Sequence, residues 1–167
     1  YEYSTFGYTA AGAALEAARG EPIADIINQE FVSELGLTSM RAEDLSNNHY
    51  HRAAIYDVDN VEWPHSNISW KVLGGGMESS AYDLLRLGMK LLDGSALSQN
   101  SMDKLWNPVS GGSGGYGYGW DVGIESQEGL AEHNIKVVGK AGGQPGANTY
   151  VRVYPEHDIV IVVLSNK

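Results

Sequence analysis

Apolar and polar residues keep two different rhythms along these 167 residues. From Phe6 to Ala18 the chain is dense in Ala, Leu and Glu, all good helix formers, and Gly20 follows as a C-terminal stop. Pro22 suits the first turn of a second helix, in which Ile23, Ile26, Ile27 and Phe31 recur at three- and four-residue spacing as far as Gly36. Between Thr38 and Ser69 the periodicity is weak, which predicts long loops with one short strand around Ala53 to Val58. A glycine turn at 74–76 precedes Ser80-Ala81-Tyr82-Asp83, which has the form of a capping box. Leu84, Leu87 and Leu91 share one face of the helix that follows, Gly94 closes it, and a further short helix runs from Ser98 to Trp106.

After the Gly/Ser stretch Ser110 to Gly115 the period becomes two. Tyr118, Trp120, Val122 and Ile124 alternate with smaller or polar residues, as in a half-covered strand. Ile135 to Lys140, Asn148 to Tyr154 and Asp158 to Ser165 read as further strands, the last two joined by the turn Pro155-Glu156-His157-Asp158. The solid apolar run Ile159 to Leu164 predicts a central strand covered on both faces. The fold class is therefore α+β, with a helical lobe over residues 1–110 and antiparallel strands over 116–167.

Composition narrows the partners. With 11 Lys plus Arg against 21 Asp plus Glu, the formal charge is −10, which disfavours nucleic acids and anionic membranes. No apolar stretch has the length of a membrane span. The absence of Cys removes disulfides, thiol nucleophiles and thiolate-bound zinc. His49 and His51 lack a third ligand nearby, and Asp57 to Glu62 lacks the Gly and Glu placement of a calcium loop, so both read as solvated loops and no metal or cofactor is expected. Neither Gly74-Gly75-Gly76 nor the Gly111 to Gly119 run has the Gly-Lys-Ser/Thr of a phosphate loop, so both read as turns or hinges.

Two patterns carry chemistry. Tyr3-Ser4-Thr5 stands just before a helix, and Lys140-Ala141-Gly142-Gly143 closes a strand. A Lys beside small residues sets an ammonium in a cleft without blocking a substrate, and a Tyr near such a cation can take a proton from a nucleophilic hydroxyl. Bare glycines let backbone N–H groups face a developing oxyanion. Taken singly, each motif also reads as plain structure: Tyr3 as a core aromatic, Lys140 as an edge-strand surface charge.

Five landmarks in order, spanning the chain, resemble the serine β-lactamase-like and penicillin-binding protein superfamily. They are Tyr1-x-Tyr3-Ser4-Thr5-Phe6-Gly7-Tyr8, the Gly74 to Leu84 helix start, Tyr116-Gly117-Tyr118-Gly119-Trp120, Lys140-Ala141-Gly142-Gly143-Gln144-Pro145-Gly146, and the hairpin from Val153 to Asn166. The wording around Tyr3 and the Trp70 to Gly76 segment is similar to the mitochondrial-type proteins and their bacterial relatives. The resemblance implies a β-lactamase/transpeptidase-like fold, incomplete in this chain, and a Ser that attacks an amide or ester carbonyl to form an acyl-enzyme. It implies Tyr3 as general base and proton relay and Lys140 as its basic partner, on opposing walls of a cleft between the lobes. It further implies Thr5 and Ala141 as substrate-binding positions, Gly142 and Gly143 as strand backbone against the substrate, and the Gly143 N–H as oxyanion donor.

Departures from the family pattern shape the expectation. Thr5 shortens an amide-recognition arm that is commonly Asn, and Ala141 removes a hydroxyl that commonly binds a carboxylate. Both lean from antibiotic degradation towards peptide, amide or ester hydrolysis. The family's Ser-x-x-Lys lies upstream of the Tyr motif. Ser101-Met102-Asp103-Lys104 spells it on a surface helix downstream, where it is a coincidence of spelling. The expected partners are therefore a small-molecule or peptide acyl substrate and an N-terminal segment or chain carrying the nucleophilic Ser. The chain alone is expected to be inactive, the setting a bacterial periplasm or cell envelope. The rival expectation is a non-catalytic binding or assembly module that keeps the fold.

Overall fold

The computed structural model describes residues 2–47, 51–109, 115–125 and 135–167, with the side chains of Ile124 and Glu125 left aside. His49, and the Gly/Ser stretch over 110–114, lie outside the described residues. Helices α1 (Thr5–Arg19), α2 (Ile23–Ile27), α3 (Ala81–Leu92) and α4 (Gln99–Trp106) precede the main sheet. Its strands are β5 (Gly115–Tyr116), β6 (Asp121–Glu125), β7 (Ile135–Gln144), β8 (Ala147–Tyr154) and β9 (Ile159–Ser165), hydrogen-bonded in chain order as a meander. The pairs β1 (Arg41–Ala42) with β4 (Met77–Glu78), and β2 (Ile55–Tyr56) with β3 (Glu62–Trp63), form two small antiparallel ribbons. No helix among the described residues is long and apolar enough to cross a membrane. The α+β class and the closing antiparallel strands thus stand as the sequence predicts.

The chain resolves into two compact units. The first holds 84–142 and 149–164, the second 2–83, 143–148 and 165–167. Contact, not helix content, draws this division: α4 and most of α3 join the strands.

In the first unit Leu91, Met102 and Trp106 from the helices meet Val122, Val138 and Val153 from the sheet, with Trp120 edge-on to Trp106 at 6.3 Å. Burying such side chains contributes roughly 1.5–3 kcal/mol each and supplies most of the unit's cohesion. Met102 in this core means that the Ser101 to Lys104 segment is a packed helix. Its N-cap Ser98 accepts from the Ser101 N–H at 3.4 Å. Gly88 lets α3 approach β9, since a Cβ there would lie 2.6 Å from Val160 Cγ1.

Two expectations need correction. Among the described residues the run Ile159 to Leu164 is not a central strand: β9 ends the sheet order, and Val163 is 54% exposed. An unbroken apolar run carries no alternation, so it cannot by itself tell a two-sided strand from one whose second face lies open among the described residues. The alternation from Tyr118 to Ile124 is not one strand either. Residues 117–120 form the bend between β5 and β6, closed by Gly117 N–H donating to Trp120 O at 2.8 Å. Gly117 is required there, because a Cβ would fall 2.2 Å from Leu105 O.

In the second unit, α1 starts at the N-cap Ser4, whose Oγ accepts from the Gly7 N–H at 2.9 Å, and stops at Gly20 in the left-handed conformation. The apolar stripe after Pro22 is α2 running on into a π-helical segment Asn28–Glu34, with Ile26 and Ile27 buried. A 3-10 segment Ser69–Gly74, unforeseen in the weakly periodic region, packs against α1. The Ser80 cap is half as expected: its Oγ accepts from the Asp83 N–H at 3.2 Å. The buried Asp83 carboxylate instead takes the Ser39 N–H and hydroxyl, both at 2.7 Å, tying α3 to the loop before β1.

Candidate active site

The Tyr motif begins in extended backbone. Tyr3 stands just ahead of the cap residue Ser4 and is 65% exposed, so it is no core aromatic. Thr5 opens α1 half-buried, and its carbonyl accepts from the Thr9 hydroxyl at 3.1 Å. The glycine triplet lies directly behind it. A Cβ on Gly74 would come within 2.7 Å of Thr5 O and 2.9 Å of Thr5 Cγ2. Gly75 has a φ of 132°, and a Cβ there would lie 3.1 Å from Gln144 Nε2. Through Gly74 and Gly75, therefore, the second unit joins the start of α1 to the tip of the β7–β8 hairpin, the segment that opens with Gly143. That tip is seated in turn by Gly146, whose missing side chain makes room for Ile55 in β2. The glycines read earlier as a turn are packing surfaces as well.

An ion cluster braces this region. Glu78 in β4, two residues past the triplet, accepts from Arg41 Nε at 2.9 Å and Arg52 Nε at 2.6 Å. Burial pushes the Glu78 carboxyl up, but the hydrogen bonds from Arg52 and Arg41 outweigh it and hold the group below its ordinary 4.5.

The Lys motif lies on β7. Lys140 and Gly142 point to one face of the strand and Ala141 and Gly143 to the other, by simple alternation. Ala141, Gly142 and Gly143 are exposed. Gly142 admits the neighbouring strand, since a Cβ would meet Thr149 Oγ1 at 2.7 Å. Lys140, by contrast, is engaged. Its ammonium donates to the Tyr116 hydroxyl, sits 4.4 Å from the centre of the Tyr116 ring, and lies 3.6 Å from Asp121 Oδ2. A mere edge-strand surface charge would not be held this way.

Strand register explains the grouping. Tyr116 pairs with Asp121 across β5 and β6, and Asp121 pairs with Gly139 across β6 and β7. Three adjacent strands thus bring phenol, carboxylate and ammonium together. Tyr116 and Asp121 were not singled out from sequence as site residues. The signal was present in the hairpin Tyr116 to Val122 facing Val138 to Lys140, but it becomes readable only once the register is fixed. Tyr3 and Thr5 belong to one compact unit and Lys140 to the other, and Gly143 shares the unit of Tyr3. Among the described residues no group of three or more His, Asp or Glu is arranged to hold a metal ion.

The chain as a whole resembles known proteins. The beta-lactamase family model matches residues 1–167. The mitochondrial serine beta-lactamase-like protein LACTB of Mus musculus is 28% identical over 92% of this chain and 32% of its own length. Penicillin-binding protein 4* of Bacillus subtilis is 27% identical over 99% of the chain and 39% of its own. The chain thus spans about a third of the length of these curated relatives. The crystal structure of a penicillin-binding protein from Bacillus halodurans superposes with a TM-score of 0.80 at 19% identity, over 99% of this chain and 51% of that one, which speaks to the fold. With a family model matched from its first residue to its last, and the fold shared with a penicillin-binding protein, the chain belongs to the beta-lactamase family of serine β-lactamase-like proteins.

Proposed function

We propose that the protein to which these residues belong is a serine acyl hydrolase of penicillin-binding-protein type, acting on a peptide, amide or ester. Its nucleophilic Ser comes from residues outside this chain, carried by an N-terminal segment or a separate chain. In acylation the Ser Oγ–C bond forms as the Ser proton passes to the Tyr3 phenolate. The tetrahedral intermediate then expels the leaving group, which takes that proton from Tyr3. Water then gives a proton to the Tyr3 phenolate as its oxygen bonds to the acyl carbon, and Tyr3 passes that proton to the Ser Oγ as the acyl–oxygen bond breaks, releasing the acid and restoring the Ser. Lys140 supplies the positive potential that favours the Tyr3 phenolate and an anionic substrate group, and the Gly143 N–H faces the oxyanion. Thr5, Ala141 and Gly142 form the substrate wall, and the missing Ala141 hydroxyl favours acyl substrates without the carboxylate of an antibiotic. A bacterial cell-envelope setting is part of the same proposal.

The observation that carries this reading is an ammonium fixed on a strand whose next three residues, Ala141, Gly142 and Gly143, are small and exposed. The intact protein should form a covalent adduct with a fluorophosphonate or a fluorescent penicillin. Tyr3→Phe and Lys140→Ala should each lower acylation roughly 10²- to 10⁴-fold, the range for loss of a proton-transfer group. The isolated 167 residues should release no nitrophenol from a nitrophenyl ester. An intact protein that binds neither probe, with its fold preserved, would instead support a non-catalytic binding module, the reading that Thr5 and Ala141 favour.

A further inference from the structure

The Lys140 ammonium is held by groups that the proton-relay scheme does not use. A lysine stem has four rotatable carbons, and an ammonium is a compact, strongly hydrated charge that settles wherever water is available. For Lys140 to act at one place its stem has to be confined. The candidate for that task is Tyr116, which is 8% exposed while the Lys140 side chain is 34% exposed. The phenol is therefore a fixed wall and the ammonium the part that still meets solvent.

Tyr116 is itself anchored on both sides. Its carbonyl accepts from the Val109 N–H at 2.9 Å, and Gly117 beside it lies flat against the end of α4 at Leu105. The ammonium lies at the hydroxyl end of the ring, 4.4 Å from the ring centre, and the hydroxyl accepts a hydrogen bond from it. Asp121 adds only a 3.6 Å contact from a mostly exposed side chain, which is too weak to set a geometry.

We propose that Tyr116 is a positioning residue: ring and hydroxyl together fix the Lys140 ammonium in the orientation that the acyl-transfer site uses. This rests on the serine hydrolase reading above. Tyr116 takes no proton from the substrate and forms no bond to it. Its removal leaves a charged Lys140 free to swing, so the loss falls on the chemical step more than on binding.

The test separates this idea from the reading it rests on. In the intact protein, reductively methylated with ¹³C, the dimethyl-lysine resonance that disappears in Lys140→Arg should lie outside the envelope of the other lysines, because the Tyr116 phenol holds it in one place at the edge of the ring. Tyr116→Leu should return it to their envelope, and Tyr116→Phe, which releases the hydrogen bond, should move it part of the way. Turnover of an ester substrate should fall roughly tenfold in kcat for Tyr116→Phe with KM nearly unchanged, and Tyr116→Phe should add nothing in a Lys140→Ala background. A Lys140 resonance already within the common envelope, or one unmoved by Tyr116→Leu, would overturn the proposal whatever the activity. So would equal losses on Tyr116→Phe with and without Lys140. A shifted Lys140 resonance in a protein that no acylating probe labels would leave the positioning intact and remove the hydrolase reading.

Discussion

Two glycines at the contact between α1 and the 3-10 segment should respond to the same substitution with opposite signs. Gly74→Ala places a methyl group 2.7 Å from Thr5 O and 2.9 Å from Thr5 Cγ2. A relaxed carbon–oxygen contact is about 3.3 Å or longer, so the start of α1 must move by roughly 0.6 Å or the 3-10 segment must give way. Overpacking of this kind costs about 1–3 kcal/mol, offset by about 0.4–1 kcal/mol from the stiffer unfolded chain. The net loss of ~1–2 kcal/mol corresponds to a fall in Tm of about 3–6 °C for a domain of this size. Gly12→Ala sits in the interior of α1, where the new methyl would meet Leu73 Cδ1 at an ordinary 3.5 Å. It should stabilise by up to ~1 kcal/mol through helix propensity. Urea and thermal unfolding of the intact protein measure both. Because Thr5 and Tyr3 ride on the displaced end of α1, Gly74→Ala should also slow acylation, whereas Gly12→Ala should not. A Gly74→Ala protein as stable and as active as its parent would refute the claim that this glycine sets the position of the Tyr motif.

Two further outcomes follow from charge. Glu78 has its carboxyl held below 4.5 in the folded state by Arg52 and Arg41, so its contribution to stability is complete above that value and is lost as pH falls through the lower folded one. Glu78→Gln should therefore lower the Tm at neutral pH, and the gap to the parent should narrow on acidification, as read by thermal melts from pH 7 to 3; a constant gap would count against the ion cluster. If Lys140 receives an anionic substrate group, as proposed, Asp121 competes with it, so Asp121→Asn should lower the KM of a carboxylate-bearing ester about two- to fivefold at low salt and leave a neutral ester unchanged. Equal effects on both esters would show that the carboxylate does not act through Lys140.

Where local rules fix an element by themselves, the sequence and the structure agree. Gly20 ends α1, Gly94 follows α3, and the turn after Tyr154 makes the last hairpin, because caps and tight turns depend on a few adjacent side chains and on φ. β2 falls within the short strand expected around Ala53 to Val58, whereas the β1–β4 ribbon, β3 and the 3-10 segment escaped, since two-residue strands carry no period and are held by distant partners such as Glu78 with Arg41 and Arg52. β9 was misplaced for a related reason. Its composition says that it is apolar all round, while its position at the end of the sheet is a property of topology.

The site divides along the same line. Lys140 and the bare residues after it are visible as a motif because small residues beside a cation have a chemical meaning in one dimension. Tyr116 is not visible, because its relation to Lys140 is set by the register of two hairpins and by the absence of a side chain at Gly117, which seats β5 on α4. The structure puts Tyr116, a phenol that the motif reading leaves without a role, in contact with the ammonium, while Tyr3 keeps the relay role proposed for it. The two assignments make different demands. A relay has to exchange a proton and therefore needs access to substrate, which an exposed Tyr3 has; a clamp has to stay still, which a buried Tyr116 does. On the roles proposed above, Tyr3→Phe and Tyr116→Phe should part, the first lowering acylation roughly 10²- to 10⁴-fold and the second only about tenfold.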